Sequence, residues 1–110
     1  MKIKIAIKHW KTGAVLFEFK KEHNTINDTI EKAIKQSADL SYANLSCADL
    51  RYANLRYANL RYADLRCADL SCANLRYADL RSANLSSANL SCADLSYADL
   101  RTVDLNIQTT

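Results

Sequence analysis

The sequence contains no proline, a single glycine (Gly13), a single tryptophan (Trp10) and two histidines, His9 and His23, in 110 residues. A chain this poor in proline and glycine is neither a disordered segment nor a flexible linker. No apolar run reaches the roughly 18 residues of a membrane-spanning helix, so no span is expected. Met1 to Trp10 alternates lysine with apolar residues, unlike the charged and apolar regions of a signal peptide. Without a sign of export, Cys47, Cys67, Cys72 and Cys92 read as free thiols in a reducing cytoplasm. They show no C-x₂-C spacing, and both histidines lie far from them in sequence, so no metal site is expected. Nor is there a nucleophile–base pair, a glycine-rich phosphate loop or a nucleotide fingerprint. The serines after residue 40 have no nearby histidine to activate them. Enzymatic activity and a bound cofactor are therefore not expected.

From Ala38 onward the chain repeats the unit A-(D/N)-L-x-x without a slip. Leucine recurs every fifth residue from Leu40 to Leu105, fourteen times, and alanine precedes it by two residues except at Val103. On an α-helix, five residues advance about 140° beyond a full turn, so the leucines would spiral and form no apolar stripe. Alanine and leucine two apart instead match the strand period, placing both on one face with Asp or Asn between them pointing out. The two variable residues carry the chain round a corner. A chain that steps and turns with one face always inward winds into a coil, with leucine on the axis and alanine where segments approach closely. Stacked coils satisfy one another's backbone groups at the parallel-sheet spacing of about 4.8 Å.

Residues 38–105 resemble the pentapeptide-repeat family, whose motif is A-(D/N)-L-x-x. The resemblance implies an all-β solenoid, a right-handed quadrilateral β-helix with four units, hence twenty residues, per coil. Fourteen units would then make about 3.5 coils, a stubby rod on the order of 17 Å long.

The first 36 residues read as a different unit. Lys2 to Lys8 predicts a strand with Ile3, Ile5 and Ile7 on one face, Lys11-Thr12-Gly13 a turn, and Ala14 to Lys20 a return strand. Asn24 or Thr25 offers an N-cap to a helix over 26–36 with Ile26, Ile30, Ala33 and Ile34 as its stripe. This ββα segment, residues 1–36, is expected to cap the β-helix of residues 37–110, with Ile30 and Ile34 against the first leucines. Charge follows the same division: eight lysines against four acids give +4 before residue 37, and seven arginines against eight aspartates give −1 after it.

With twenty residues per coil, residues twenty apart stack in columns. Tyr57, Tyr77 and Tyr97 share one, Tyr42 and Tyr62 another, and Arg61, Arg81 and Arg101 a third. These are the candidate interaction surface, although a self-stacking tyrosine ladder and arginines paired with the recurring aspartates are the plainer readings. Arg56 aligns with Arg76, Cys47 with Cys67 and Cys72 with Cys92. The periodic Asp and Asn read as turn residues that bond nearby backbone.

The expected function is a non-catalytic, rigid protein–protein interaction or scaffold module with a protein partner. The resemblance also implies an alternative, since some pentapeptide-repeat proteins mimic duplex DNA and act on type II topoisomerases such as DNA gyrase. Direct nucleic-acid binding and a membrane partner are not expected. An uncovered last coil at Leu100, Leu105 and Ile107 points to a homodimer through the C-terminal end, the alternative being that Ile107 and the tail fold over and close it.

Overall fold

A computed structural model describes residues 1–105. Strand β1 (Lys2–Lys8) pairs antiparallel with β2 (Val15–Glu22), from Lys2↔Glu22 to Ile7↔Phe17. A bulge between Ile7 and Lys8 then shifts Lys8 onto Val15. Gly13 takes the left-handed conformation of the connecting turn, with φ 76°. The return strand runs two residues past the expected Lys20, because Lys21 and Glu22 find partners on Ile3 and Lys2.

Helix α1 (Ile26–Lys35) starts where Thr25 Oγ1 accepts the Asp28 N–H at 3.0 Å. Asn24 is the joint between hairpin and helix. It is 5% exposed, donates to Phe19 O (2.9 Å) and Ile3 O (3.2 Å), and accepts from Thr29 Oγ1 (3.2 Å). The helix closes one residue short of the expected end. Ser37 adopts φ 56°, and the Ser37 and Ala38 N–H groups bond back to Ile34 O and Ala33 O, both at 2.9 Å. This is a Schellman closure, and Ala38 is also the first residue of the repeat, so the helix empties straight into the coil.

A repeat unit with coils on both sides of it accounts for all five of its backbone N–H groups. The alanine N–H bonds to the preceding leucine carbonyl, as in Ala63→Leu60 at 3.1 Å. The second variable residue has positive φ at every corner from Tyr42 to Thr102, while the first does not. That combination is a type II turn. The first variable N–H bonds to the Asp or Asn side chain two residues back, as in Arg66→Asp64 Oδ1 at 3.1 Å. The remaining three reach neighbouring coils: Leu45→Asp64 O, Asp64→Ala43 O and Tyr42→Arg61 O, each at 2.8 Å. Parallel bridges accordingly join residues twenty apart, from Asn44↔Asp64 to Asn84↔Asp104.

Leucines 40 to 85 are at most 2% exposed and fill the interior with the facing alanines, most of which are equally buried. Ile7, Ile30 and Ala33 belong to the same cluster, with Ile26 and Ile34 packed against it. The N-terminal segment also bonds to the first coil's backbone, which has no earlier repeat beneath it. Asn44 N–H donates to Lys8 O (2.7 Å), Asn54 N–H to Glu31 Oε1 (3.3 Å), and Asn27 Nδ2 to Arg51 O (2.9 Å). At the other end burial fades: Leu90 and Leu95 are half-buried, and Leu100 and Leu105 are 42% and 45% exposed. Ile107 lies outside the described residues.

Candidate interaction face

The corners fix where every variable side chain stands. Because bridges join residues twenty apart, the corner of Tyr57, Tyr77 and Tyr97 and the corner of Tyr42 and Tyr62 are neighbours around the coil. The side between them carries Asp39, Asn59, Asp79 and Asp99, edged by Arg61, Arg81 and Arg101. All eight residues singled out from the sequence therefore border one side of the solenoid. The four cysteines, all free thiols, border the opposite side.

The tyrosines stack. Tyr57–Tyr77 and Tyr77–Tyr97 have ring centroids 5.0 Å apart, tilted by 5° and 7°. Tyr42–Tyr62 stack at 4.9 Å, and His9 continues that ladder at 4.8 Å from Tyr42. Trp10 Nε1 donates to Tyr62 O at 2.7 Å, so the N-terminal segment occupies the lower end of this column. Nothing in the sequence ties His9 or Trp10 to the tyrosines, because the tie depends on where β1 ends against the first coil. The second ladder is the open one, with Tyr57 64%, Tyr77 41% and Tyr97 74% exposed. Tyr52 is 77% exposed but has no second tyrosine in its column, which continues through Cys72 and Cys92 on the far side.

The three candidate arginines are engaged along their own side. Arg81 Nη2 meets Asp79 at 2.7 Å and its Nε reaches Asp99 at 3.7 Å, while Arg101 meets Asp99 at 2.6 Å. Arg61 Nε donates to Asn59 Oδ1 at 3.1 Å and approaches Asp79 at 3.9 Å. Hydrogen bonds from Arg101 hold the Asp99 carboxyl down to about 2, and those from Arg81 hold Asp79 below the ordinary range. Arg66 and Arg51 act likewise on Asp64 and Asp49. Ser41 and Ser96 lower Asp39 and Asp94 by hydrogen bonding alone in the main. Burial, and then a hydrogen bond with Cys92, pushes the Cys72 thiol up. The carboxylates are thus bound into corners and arginine pairs, which is a structural use of charge. Among the described residues no three potential metal ligands come together, and no helix is long and apolar enough to cross a membrane.

Against that geometry, the family model for pentapeptide repeats matches residues 36–67 and 68–106, in eight copies. The chain belongs to the pentapeptide-repeat family. Pentapeptide-repeat proteins are right-handed quadrilateral β-helices, and the bridges at twenty-residue offset are the four-unit coil of that architecture. Two solved family members are similar to this chain. A pentapeptide repeat protein from the Arabidopsis thaliana thylakoid lumen is 37% identical over 61% of this chain, with a TM-score of 0.60. The pentapeptide repeat protein Rfr23 from the cyanobacterium Cyanothece 51142 is 39% identical over 57%, with a TM-score of 0.56. The matched part spans 46% and 44% of those proteins. No curated protein matches the chain.

Proposed function

We propose that this pentapeptide-repeat protein is a non-catalytic interaction module that presents the side between its two tyrosine ladders to another protein. The open Tyr57–Tyr77–Tyr97 ladder carries the reading, because three aligned and exposed rings on a frame of hydrogen-bonded coils form a preorganised aromatic contact surface. Residues 1–36 serve as its cap, closing the first coil of a β-helix of about 3.5 coils in residues 37–110. The free thiols suit a reducing compartment, as in the cytoplasm. Mimicry of duplex DNA toward a topoisomerase is the weaker reading, since the repeat carboxylates are paired with arginines and do not present a continuous acidic surface.

The test is capture from lysate with the intact protein and with Tyr57, Tyr77 and Tyr97 changed to Ser. A defined protein retained by the first and lost by the second supports the reading; equal retention by both refutes it. A topoisomerase subunit retained regardless of the tyrosines would favour mimicry instead.

A second copy is the proposed occupant of the far end, where Leu100 and Leu105 are exposed and Ile107 follows. Leu105→Asp is expected to convert a dimer to a monomer by light scattering. An unchanged mass for both chains would exclude the pairing.

A further inference from the structure

The arginines of the repeat divide by the residue two places before them. Where it is Asp, at 49, 64, 79 and 99, the arginine folds back onto its own unit's carboxylate at 2.6–2.8 Å. Where it is Asn, that charge is missing. Arg61, beside Asn59, reaches across to Asp79. Arg56 and Arg76, beside Asn54 and Asn74, instead lie over the rings of Tyr57 and Tyr77, 5.5 and 5.7 Å from their centroids. Arg76 reaches a carboxylate only at 4.0 Å, on Asp94, and its Nε is buried without a hydrogen bond. Arg56 forms no ion pair among the described residues. One edge of the solenoid therefore joins exposed aromatic rings to Arg56, which has no carboxylate partner among the described residues, and to Arg76, whose one carboxylate contact is the 4.0 Å approach to Asp94.

We propose that this edge — Arg56 and Arg76 with the Tyr57–Tyr77–Tyr97 ladder — is the contact surface for an acidic α-helix carrying its carboxylates along one face. The proposal rests on the reading of the protein as an interaction module and names the chemistry of its partner. Charge selects an acidic partner, and the exposed rings give the apolar flank of its helix a surface to cover. Spacing selects the helix. The coils repeat at 5.0 Å along this edge, and helix residues three or four apart advance about 4.5–6 Å, averaging one turn of 5.4 Å. An extended chain sets side chains of one face about 6.6–6.8 Å apart and slips out of step after one coil. A groove of about 260 Å³ lies between α1 and the edge, lined by Lys35, Arg56 and Tyr57 together with Ile34, Asn54 and Glu31, whose carboxylate accepts the Asn54 N–H.

The test uses fluorescence anisotropy with two labelled alanine-based peptides of identical composition. One has glutamates alternately three and four apart on a single helix face, and the other has them dispersed around the helix. The full chain is compared with Arg56→Gln/Arg76→Gln and with Arg81→Gln/Arg101→Gln, each checked for an unchanged circular dichroism spectrum. The one-face peptide is expected to bind more tightly than the dispersed one. The Arg56/Arg76 changes are expected to weaken it about tenfold and the Arg81/Arg101 changes less than about twofold. Equal binding of the two peptides, equal losses in the two variants, or tighter Arg56- and Arg76-dependent binding of a single-stranded oligonucleotide would overturn the proposal. If the peptides fail while tyrosine-dependent capture of a protein persists, the acidic helix is wrong and the module reading stands; loss of both ends both.

Discussion

At the scale of single residues, the second variable position is where the fold demands most of the backbone. Tyr, Cys, Ser and Thr all occupy the left-handed region there, with φ near 60° at Tyr52, Cys67, Ser87 and Thr102 alike. An L-residue adopts that conformation at a cost of roughly 1–2 kcal/mol, and a β-branched one suffers most. At the corners from Tyr42 to Ser82 two bonds, the inter-coil bond of this residue and the turn bond closed behind it, offset the cost. Cys67→Val is therefore expected to destabilise the protein by about 1 kcal/mol relative to Cys67→Asn, since asparagine tolerates the left-handed region. Urea unfolding midpoints measure the difference, and equal midpoints would show that the corner is unstrained. The side chain at this position is exposed, so burial differs little between the two variants.

At the scale of elements, the period of five spells out the corner and the inward pair, and the family resemblance adds the twenty-residue column, because every unit repeats the same turn and Asx bonds and meets an identical unit in the next coil. The Asx role of the periodic Asp and Asn was legible for the same reason: Asp64 and Asp79 each accept the N–H two residues on. The hairpin and α1 were legible as elements but not to the residue. The bulge at Ile7 and the end of β2 depend on cross-strand pairing, and the helix stops where Ser37 turns left-handed, a residue with no glycine-like signature. Least legible was the junction. His9 stacked on Tyr42, Trp10 bonded to Tyr62 O, and Asn27 and Glu31 bonded to the first coil join residues 23 to 52 positions apart, which no local pattern encodes. For the candidate face, the tyrosine columns are legible in the sequence, and the split between Arg81 and Arg56 follows from Asp79 and Asn54, the residues two places before them.

At the scale of the molecule, the carboxylates act together. Asp99, Asp79, Asp64, Asp49, Asp39 and Asp94 all titrate below the ordinary carboxylate value of 3.8, Asp99 at about 2. A depressed folded-state value means the unfolded chain takes up protons first as pH falls, so the stabilisation is whole above the unfolded value and drains away below it. The melting temperature is expected to be level from neutrality to about pH 5 and to decline progressively as pH drops from 3.8 towards 2. Arg101→Gln is expected to lower the neutral-pH plateau and shallow that decline. A profile that starts falling above pH 6 would place the acid sensitivity elsewhere, outside these pairs.

The twenty-residue offset also gives this protein something like a reading frame. Removing one unit, residues 86–90 for example, would leave the leucine core intact and yet advance everything after it by one corner. Tyr97 would leave the stack on Tyr77 and arrive above Cys72, on the column that begins at Tyr52. Removing four units together would shorten the rod and keep every surviving side chain on its own edge. Changes of length in such a chain thus fall into two kinds, silent and frame-shifting, and only the second rewrites what its surface says.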